Sequence, residues 1–92
     1  MNEQEVQTLI ASGIKNSKVW VQGEGAHFDA VIIADVFLDK SKIEQQKIVY
    51  QVLGDRIKNG EIHAISMKTY TPEQWLTLSD KPVEIIKDTK NG

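Results

Sequence analysis

Hydrophobic residues recur along the chain with two different spacings, and the changes between them mark the predicted elements. The segment from Asn2 to Gly13 carries apolar residues three and four positions apart, which is the spacing of an amphipathic helix. These apolar residues are Val6, Leu9 and Ile10. Gly13 favours a helix end, because glycine is common just past the last helical residue. We therefore predict a first helix over this segment.

Two strand-like segments follow, separated by a glycine-containing turn. Lys18 to Gln22 is short and alternating, with Val19 and Val21 on one face. His27 to Ala34 is rich in valine and isoleucine, and Gly23-Glu24-Gly25-Ala26 lies between the two segments. Two such segments joined by a short loop with glycine are typical of a β-hairpin.

Helical spacing returns between Ser41 and Lys58 and predicts a long second helix. Ser41 and Glu44 have the spacing of a capping box, and Asn59-Gly60 is a suitable helix end. Gly54 is a candidate break into two pieces, because glycine is a poor helix former. The predicted apolar side consists of Ile43, Val49, Tyr50, Leu53 and Ile57.

A third strand and a short third helix complete the predicted domain, which covers residues 1–78. The strand runs from Ile62 to Thr69, and Thr71-Pro72-Glu73 is typical of a helix opening. The residues of this helix expected to face the sheet are Trp75, Leu76 and Leu78. The remaining tail, Ser79 to Gly92, contains Pro82 and many charged residues, so we expect it to be partly disordered.

The order helix-strand-strand-helix-strand-helix predicts an α+β fold around a three-stranded sheet. The connection through the long helix has the length of a crossover between parallel strands. Parallel strands begin at the same edge of a sheet, and the two histidines of the chain, His27 and His63, lie at the starts of the second and third strands. We therefore expect both imidazoles at one edge, about 5 Å apart on adjacent strands or about 10 Å with one strand between them.

The length and the net charge of the chain exclude some classes of function and make others less favoured. The chain of 92 residues has a net charge of −2, from 11 basic and 13 acidic residues, which removes the usual electrostatic case for nucleic-acid binding. The longest apolar run, Ala30 to Ala34, is far below the roughly 20 residues of a membrane span. The polar N-terminus does not resemble a signal peptide, so we expect a cytoplasmic protein.

Cysteine is absent, so this chain supplies no disulfide, no thiolate nucleophile and no thiolate metal ligand. Two neutral imidazoles suit zinc, copper or iron but form an incomplete site. A partner with thiolates would complete it, as in the Rieske centre, where two histidines bind one iron of a [2Fe–2S] cluster. The simpler alternative is that each histidine is an ordinary surface residue at a strand start.

Several segments carry a resemblance to a known family. The stretch Ile62-His63-Ala64-Ile65-Ser66-Met67-Lys68-Thr69, followed by Tyr70-Thr71-Pro72-Glu73-Gln74-Trp75, resembles the C-terminal signature of BolA-like proteins. The stretch Gln45-Gln46-Lys47-Ile48-Val49-Tyr50 and the turn Gly23-Glu24-Gly25-Ala26-His27-Phe28 resemble the IbaG branch of that family. The resemblance covers roughly residues 2 to 76.

The resemblance implies a three-stranded sheet with helices on one side, similar to the class II KH domain. It also implies an adaptor that shares a [2Fe–2S] cluster with a monothiol glutaredoxin, for iron–sulfur trafficking or for iron or stress sensing. The glutaredoxin cysteine and a glutathione thiol would bind one iron, and His63 and His27 would bind the other. Ligating imidazoles must be neutral, so acid should weaken binding. Alone, the chain is expected to be a monomer or a weak homodimer without an intrinsic cofactor.

Two other function classes stay open at this point. BolA-like proteins are also described as transcriptional regulators, and a basic face could contact DNA or a protein partner through Lys47, Arg56, Lys58 and Lys68, with Lys40 and Lys42 beside them. Solvated lysines are the commoner explanation, and the chain lacks the G-x-x-G loop with which KH domains clamp a nucleic-acid backbone. For an enzyme, Asp29, Asp35 and the histidines are the only candidate groups, and no nucleophile or phosphate-loop motif accompanies them.

Overall fold

The structure, a computed structural model, describes residues 1–78 of the chain. Its elements follow the predicted order and confirm the α+β fold. They are α1 (Glu3–Gly13), β1 (Lys18–Glu24), β2 (His27–Ile33), α2 (Lys42–Lys58), β3 (Ala64–Tyr70) and α3 (Pro72–Thr77). One turn of 3₁₀ helix, Asp35–Phe37, lies between β2 and α2. The predicted tail, Ser79 to Gly92, lies outside the described residues.

The sheet has the order β1-β2-β3, with β2 in the centre. β1 pairs antiparallel with β2, and Glu24 lies opposite His27. β2 pairs parallel with β3, and His27 lies opposite Ala64. The connection through α2 therefore joins two parallel strands, as predicted, and the starts of β2 and β3 are direct neighbours.

Each helix begins with a reciprocal capping box. The side chains of Asn2, Ser41 and Thr71 accept hydrogen bonds from the third helical N–H group, and the glutamate or glutamine there bonds back. α2 is continuous through Gly54, so the predicted break at this position is wrong. A glycine in a helix costs about 1 kcal/mol relative to alanine, and the burial of Val49 and Leu53 in the preceding turns outweighs that cost.

The hydrophobic core lies between one face of the sheet and the two long helices. α1 contributes Val6 and Ile10, and α2 contributes Val49 and Leu53, all of them buried. The facing side chains of the sheet alternate along the strands, as the period of two requires. They are Val19, Val21, Phe28, Ala30 and Ile32.

The opposite face of the sheet is partly covered by the third helix. Trp20 lies on this face, and its ring stacks on Trp75 of α3 with a centroid distance of 5.6 Å. Tyr70 contacts the same Trp75 ring, also at 5.6 Å. The two long helices thus share one side of the sheet, as expected, whereas the aromatic residue of α3 packs on the other side.

Three predicted core residues are exposed instead. Ile43 is 66% exposed, Tyr50 is 42% exposed and Leu76 is 77% exposed. On α2, the buried side follows Gln45, Val49 and Leu53, which are successive positions four residues apart. The hydrophobic pattern of α2 was therefore right for Val49 and Leu53, which are buried, and for Ile57, which packs against the core. It missed Gln45, which is polar and yet buried.

Membrane insertion has no helical candidate in the described part of the chain. No helix of residues 1–78 is both long enough and apolar enough to span a bilayer.

Candidate functional site: the histidine corner

The β1–β2 turn positions His27. β1 ends at Glu24 and β2 begins at His27, which leaves the two-residue turn Gly25-Ala26. Gly25 has a φ of 64°, in the left-handed region that glycine occupies without steric cost. The N–H of Gly23 donates to the Glu3 carboxylate at 2.8 Å, so the start of α1 is bonded to this turn.

The same turn also positions His63, which immediately precedes β3. The backbone N–H groups of His63 and Ala64 both donate to the carbonyl oxygen of Ala26, at 2.8 and 3.2 Å. Ala26 is the residue just before His27, so one carbonyl group aligns the two histidine backbones. The expectation that both histidines lie at one edge of the sheet is confirmed.

The two imidazole rings lie side by side at this edge, which we call the histidine corner (His27 and His63). Their centroids are 6.2 Å apart, and their planes are inclined at 48°. An imidazole nitrogen binds a first-row metal at about 2 Å, so each ring centroid would lie about 3 Å from the ion. Two rings on one ion are thus at most about 6 Å apart. Both side chains are exposed, and small rotations would bring them within that limit.

The histidine corner supplies an incomplete donor set. Among residues 1–78, no group of three or more histidine, cysteine, aspartate or glutamate side chains is arranged to hold a metal ion. Within this part of the chain, the two imidazoles leave coordination positions that further ligands would have to fill. Residues 1–78 by themselves therefore offer two imidazole ligands and no closed metal site.

The basic residues considered for DNA contact do not share one surface. Lys47 and Lys58 are about three turns apart on one side of α2, whereas Arg56 projects on the opposite side from Lys47. Arg56 also forms an exposed ion pair with Glu61, with an N–O distance of 3.3 Å. Lys68 lies on β3, level with Val31 on the sheet face away from α1 and α2. The positive charges of these four residues are therefore spread over separate surfaces of the protein.

Two residues that shape the corner were missed by sequence reasoning. Glu3 reaches the turn from a position 20 residues earlier in the chain, and no local pattern signals such a contact. At Gly23, an added Cβ would lie 2.8 Å from the Phe28 Cα and would clash with the His27 carbonyl oxygen. The glycine itself was visible in the sequence, but the close approach of the opposite strand was not.

Comparison with known proteins identifies the class. The family model described as BolA-like protein matches residues 5–74. The chain belongs to the BolA-like family. Acid stress protein IbaG of Escherichia coli is 33% identical over 75 residues, which cover 82% of this chain and 89% of that protein. A protein of Haemophilus influenzae is 35% identical over 75 residues, covering 82% of this chain and 88% of its own length.

Solved structures show the same fold. A BolA protein homologue from Coxiella burnetii superposes with a TM-score of 0.76 at 31% identity, covering 83% of this chain and 97% of that one. The solution structure of yeast Fra2 gives a TM-score of 0.68 at 32% identity, covering 92% of this chain and 90% of that one. The three-stranded sheet and the helix order are therefore those of the family.

Proposed function

We propose that this chain is an adaptor, rather than an enzyme, that binds a [2Fe–2S] cluster jointly with a monothiol glutaredoxin. The observation that carries the proposal is the pair of exposed imidazoles of His27 and His63, with ring centroids 6.2 Å apart, in a BolA-like chain. His63 and His27 supply the imidazole ligands. The glutaredoxin cysteine and a glutathione thiol supply the thiolates.

The composition of the chain supports this division of ligands. The sequence contains no cysteine, so every thiolate must come from another molecule. Two imidazoles and two thiolates can bind a [2Fe–2S] cluster, as Rieske centres demonstrate. When bound, the cluster provides an iron centre with mixed ligands, which we expect to be more labile than an all-thiolate one and thus suited to transfer or sensing.

The backbone around the corner supports a role in presenting ligands. The Ala26 carbonyl accepts from both His63 and Ala64, and Gly23 is bonded to Glu3, so the strand starts are held in place. The two imidazoles remain exposed on this held backbone. A partner can therefore reach both rings without unfolding any element.

The proposal also includes the cellular process in which the chain acts. The relative from Escherichia coli carries the name acid stress protein, which links that protein to acid stress. We place the present chain in cytoplasmic iron–sulfur trafficking or in sensing of iron or stress. In either role it acts through its partner.

The test is co-expression with a monothiol glutaredoxin, followed by size exclusion with visible absorption and circular dichroism. We expect a coloured heterocomplex whose spectrum changes in His63→Ala and in His27→Ala. Lys15→Ala, an exposed change between α1 and β1, is the matched control and should leave the spectrum unchanged. An unaltered cluster spectrum in the double histidine variant would refute the ligand assignment. A colourless monomer with salt-dependent DNA affinity would instead favour the nucleic-acid alternative.

A further inference from the structure

β3 forms one edge of the sheet. Along β3, the backbone N–H and C=O groups of successive residues point alternately toward β2 and away from the sheet. The N–H of Ala64 donates to the carbonyl oxygen of Ala26 just before β2, and the Tyr70 carbonyl accepts from Ala34 just after β2. In a parallel pair, alternate residues direct both backbone groups to the neighbouring strand. Even-numbered residues of β3 therefore face β2. The odd-numbered residues Ile65, Met67 and Thr69 direct their N–H and C=O groups away from the sheet.

The outward backbone groups of β3 are hydrogen-bonded at the Thr69 end of the strand but not, within residues 1–78, at the Ile65 end. The Thr69 carbonyl accepts a hydrogen bond from the Lys42 ammonium group, which also lies 4.7 Å from the centroid of the Tyr70 ring. Within residues 1–78, no hydrogen bond uses the outward groups of Ile65 or Met67. The open part of the edge is thus the part next to His63.

At the other edge of the sheet, formed by β1, the hydrogen-bonded end is the one nearest the histidines. By the same alternation, Val19, Val21 and Gly23 of β1 point outward. Gly23, nearest the histidine corner, already donates its N–H to the Glu3 carboxylate. Beside the two histidines, the β1 edge therefore carries a hydrogen bond to Glu3, whereas no group of residues 1–78 pairs with the β3 edge.

The β3 edge lacks the features that usually prevent strand pairing. β3 has seven residues, contains no proline and has Lys68 as its single charged residue. The side chains of Ile65 and Met67 pack against the core but are only partly buried. An incoming strand would find unpaired backbone groups together with apolar contacts, the two elements of β-strand addition.

We propose that the β3 edge at Ile65 and Met67 receives an extended backbone segment of the thiolate-bearing partner, the glutaredoxin. This inference rests on the proposed function. Ile65 and Met67 follow His63 by two and four residues, about 7 and 13 Å along a strand. A folded partner that reaches the two imidazoles spans that distance. The paired backbone then sets the orientation in which the partner presents its thiolates.

Backbone amide hydrogen exchange tests the pairing directly. Exchange is measured by NMR on the full chain, free and in complex with a monothiol glutaredoxin. The Ile65 and Met67 amides should exchange rapidly in the free chain and slow by about tenfold or more in the complex. The outward amides of Val19 and Val21 on β1 are the matched controls and should not change.

Each other result overturns the inference in a distinguishable way. A complex that forms with a cluster but leaves Ile65 and Met67 unprotected overturns the edge pairing and leaves the proposed function intact. Protection already present in the free chain assigns the edge to residues 79–92 if it is independent of concentration, or to a second copy if it rises with concentration. Absence of any complex overturns the proposed function and this inference together.

A pair of variants gives a second measurement. Met67→Pro removes the outward N–H, and proline is tolerated on an edge strand where that N–H faces away from the sheet. Met67→Ala shortens the side chain but keeps the N–H. We expect Met67→Pro to bind glutaredoxin at least about tenfold more weakly than Met67→Ala, with both variants folded by circular dichroism. Equal affinities would contradict backbone pairing at this position.

Discussion

The Thr69 hydroxyl donates a hydrogen bond of 2.7 Å to the side-chain oxygen of Gln45, and both residues are buried. The Gln45 amide nitrogen donates in turn to the carbonyl oxygens of Phe37 and Lys40, at 3.1 and 3.0 Å. Among the described residues, no buried side-chain nitrogen or oxygen lacks a partner. One glutamine thus joins α2, β3 and the loop that precedes α2.

Replacement of Gln45 should therefore be costly. Gln45→Leu leaves the Thr69 hydroxyl and the Lys40 carbonyl oxygen without this partner, while the Phe37 carbonyl keeps only the Lys40 N–H. We therefore expect a loss of about 2–3 kcal/mol in the free energy of unfolding. Thr69→Val should cost less, because it removes one hydroxyl only. Urea unfolding of both single variants and the double variant should give a coupling energy of about 0.5–3 kcal/mol. If the two single changes in the free energy of unfolding simply added in the double variant, the hydrogen bond between Gln45 and Thr69 would be contradicted.

Gly23 should be required for the geometry of the turn. In Gly23→Ala, the new methyl group would meet Phe28 and the His27 carbonyl oxygen, and we expect a loss of about 1–3 kcal/mol together with shifted His27 ring signals by NMR. Gly25→Ala is the control, since no atom lies within 4 Å of its added Cβ. It should cost only about 1–2 kcal/mol for its left-handed backbone. A Gly23→Ala variant as stable as the wild type would disprove the contact.

The stacked pair Trp20 and Trp75 should attach α3 to the sheet. The ring planes are inclined at 21° with centroids 5.6 Å apart, so the strong transitions of the two indoles should couple in far-ultraviolet circular dichroism. Trp20→Ala and Trp75→Ala should each remove that signal. A double-mutant cycle measured by urea unfolding should give about 0.5–1.5 kcal/mol of coupling. Independent spectra of the two tryptophans would argue against stacking in solution.

Removal of either histidine should leave the fold unchanged. His27 and His63 are exposed, so His27→Ala and His63→Ala should alter the free energy of unfolding by no more than about 0.5 kcal/mol. Any loss of the cluster spectrum then reflects a lost ligand. Urea unfolding of the free variants is the check, and a destabilisation well above that range would mean that the imidazoles also support the turn.

The α2 capping box should weaken in acid. The pKa of Glu44 is lowered, chiefly because the Ser41 backbone N–H donates to its carboxylate, and the Ser41 hydroxyl adds to the effect. A lowered folded-state pKa stabilises the protein above the ordinary value near 4.5, and this contribution disappears as the pH falls through the folded-state pKa. Glu44→Gln keeps a capping side chain but cannot titrate.

The check compares unfolding of wild type and Glu44→Gln at a series of pH values. The stability advantage of the wild type should be constant above the ordinary pKa and should shrink as the pH falls below it. Parallel pH profiles for the two proteins would show that the Glu44 carboxylate contributes nothing through its charge.

The sequence by itself determined the elements and their order. Helix caps such as Ser41 with Glu44 act between residues three positions apart, so a local pattern contains the whole interaction. The hairpin and the parallel crossover follow from turn chemistry and connection length. Those rules were enough to place His27 and His63 at one edge of the sheet.

Only the tertiary structure decided which faces are buried and how the corner is held. Gln45 takes a core position that Ile43 and Tyr50 were expected to share, because partners up to 24 residues away satisfy its amide. The contacts of Glu3 with Gly23 and of Lys42 with Thr69 span 20 and 27 residues. Interactions over such separations depend on how the chain packs, and no pattern of neighbouring residues encodes them.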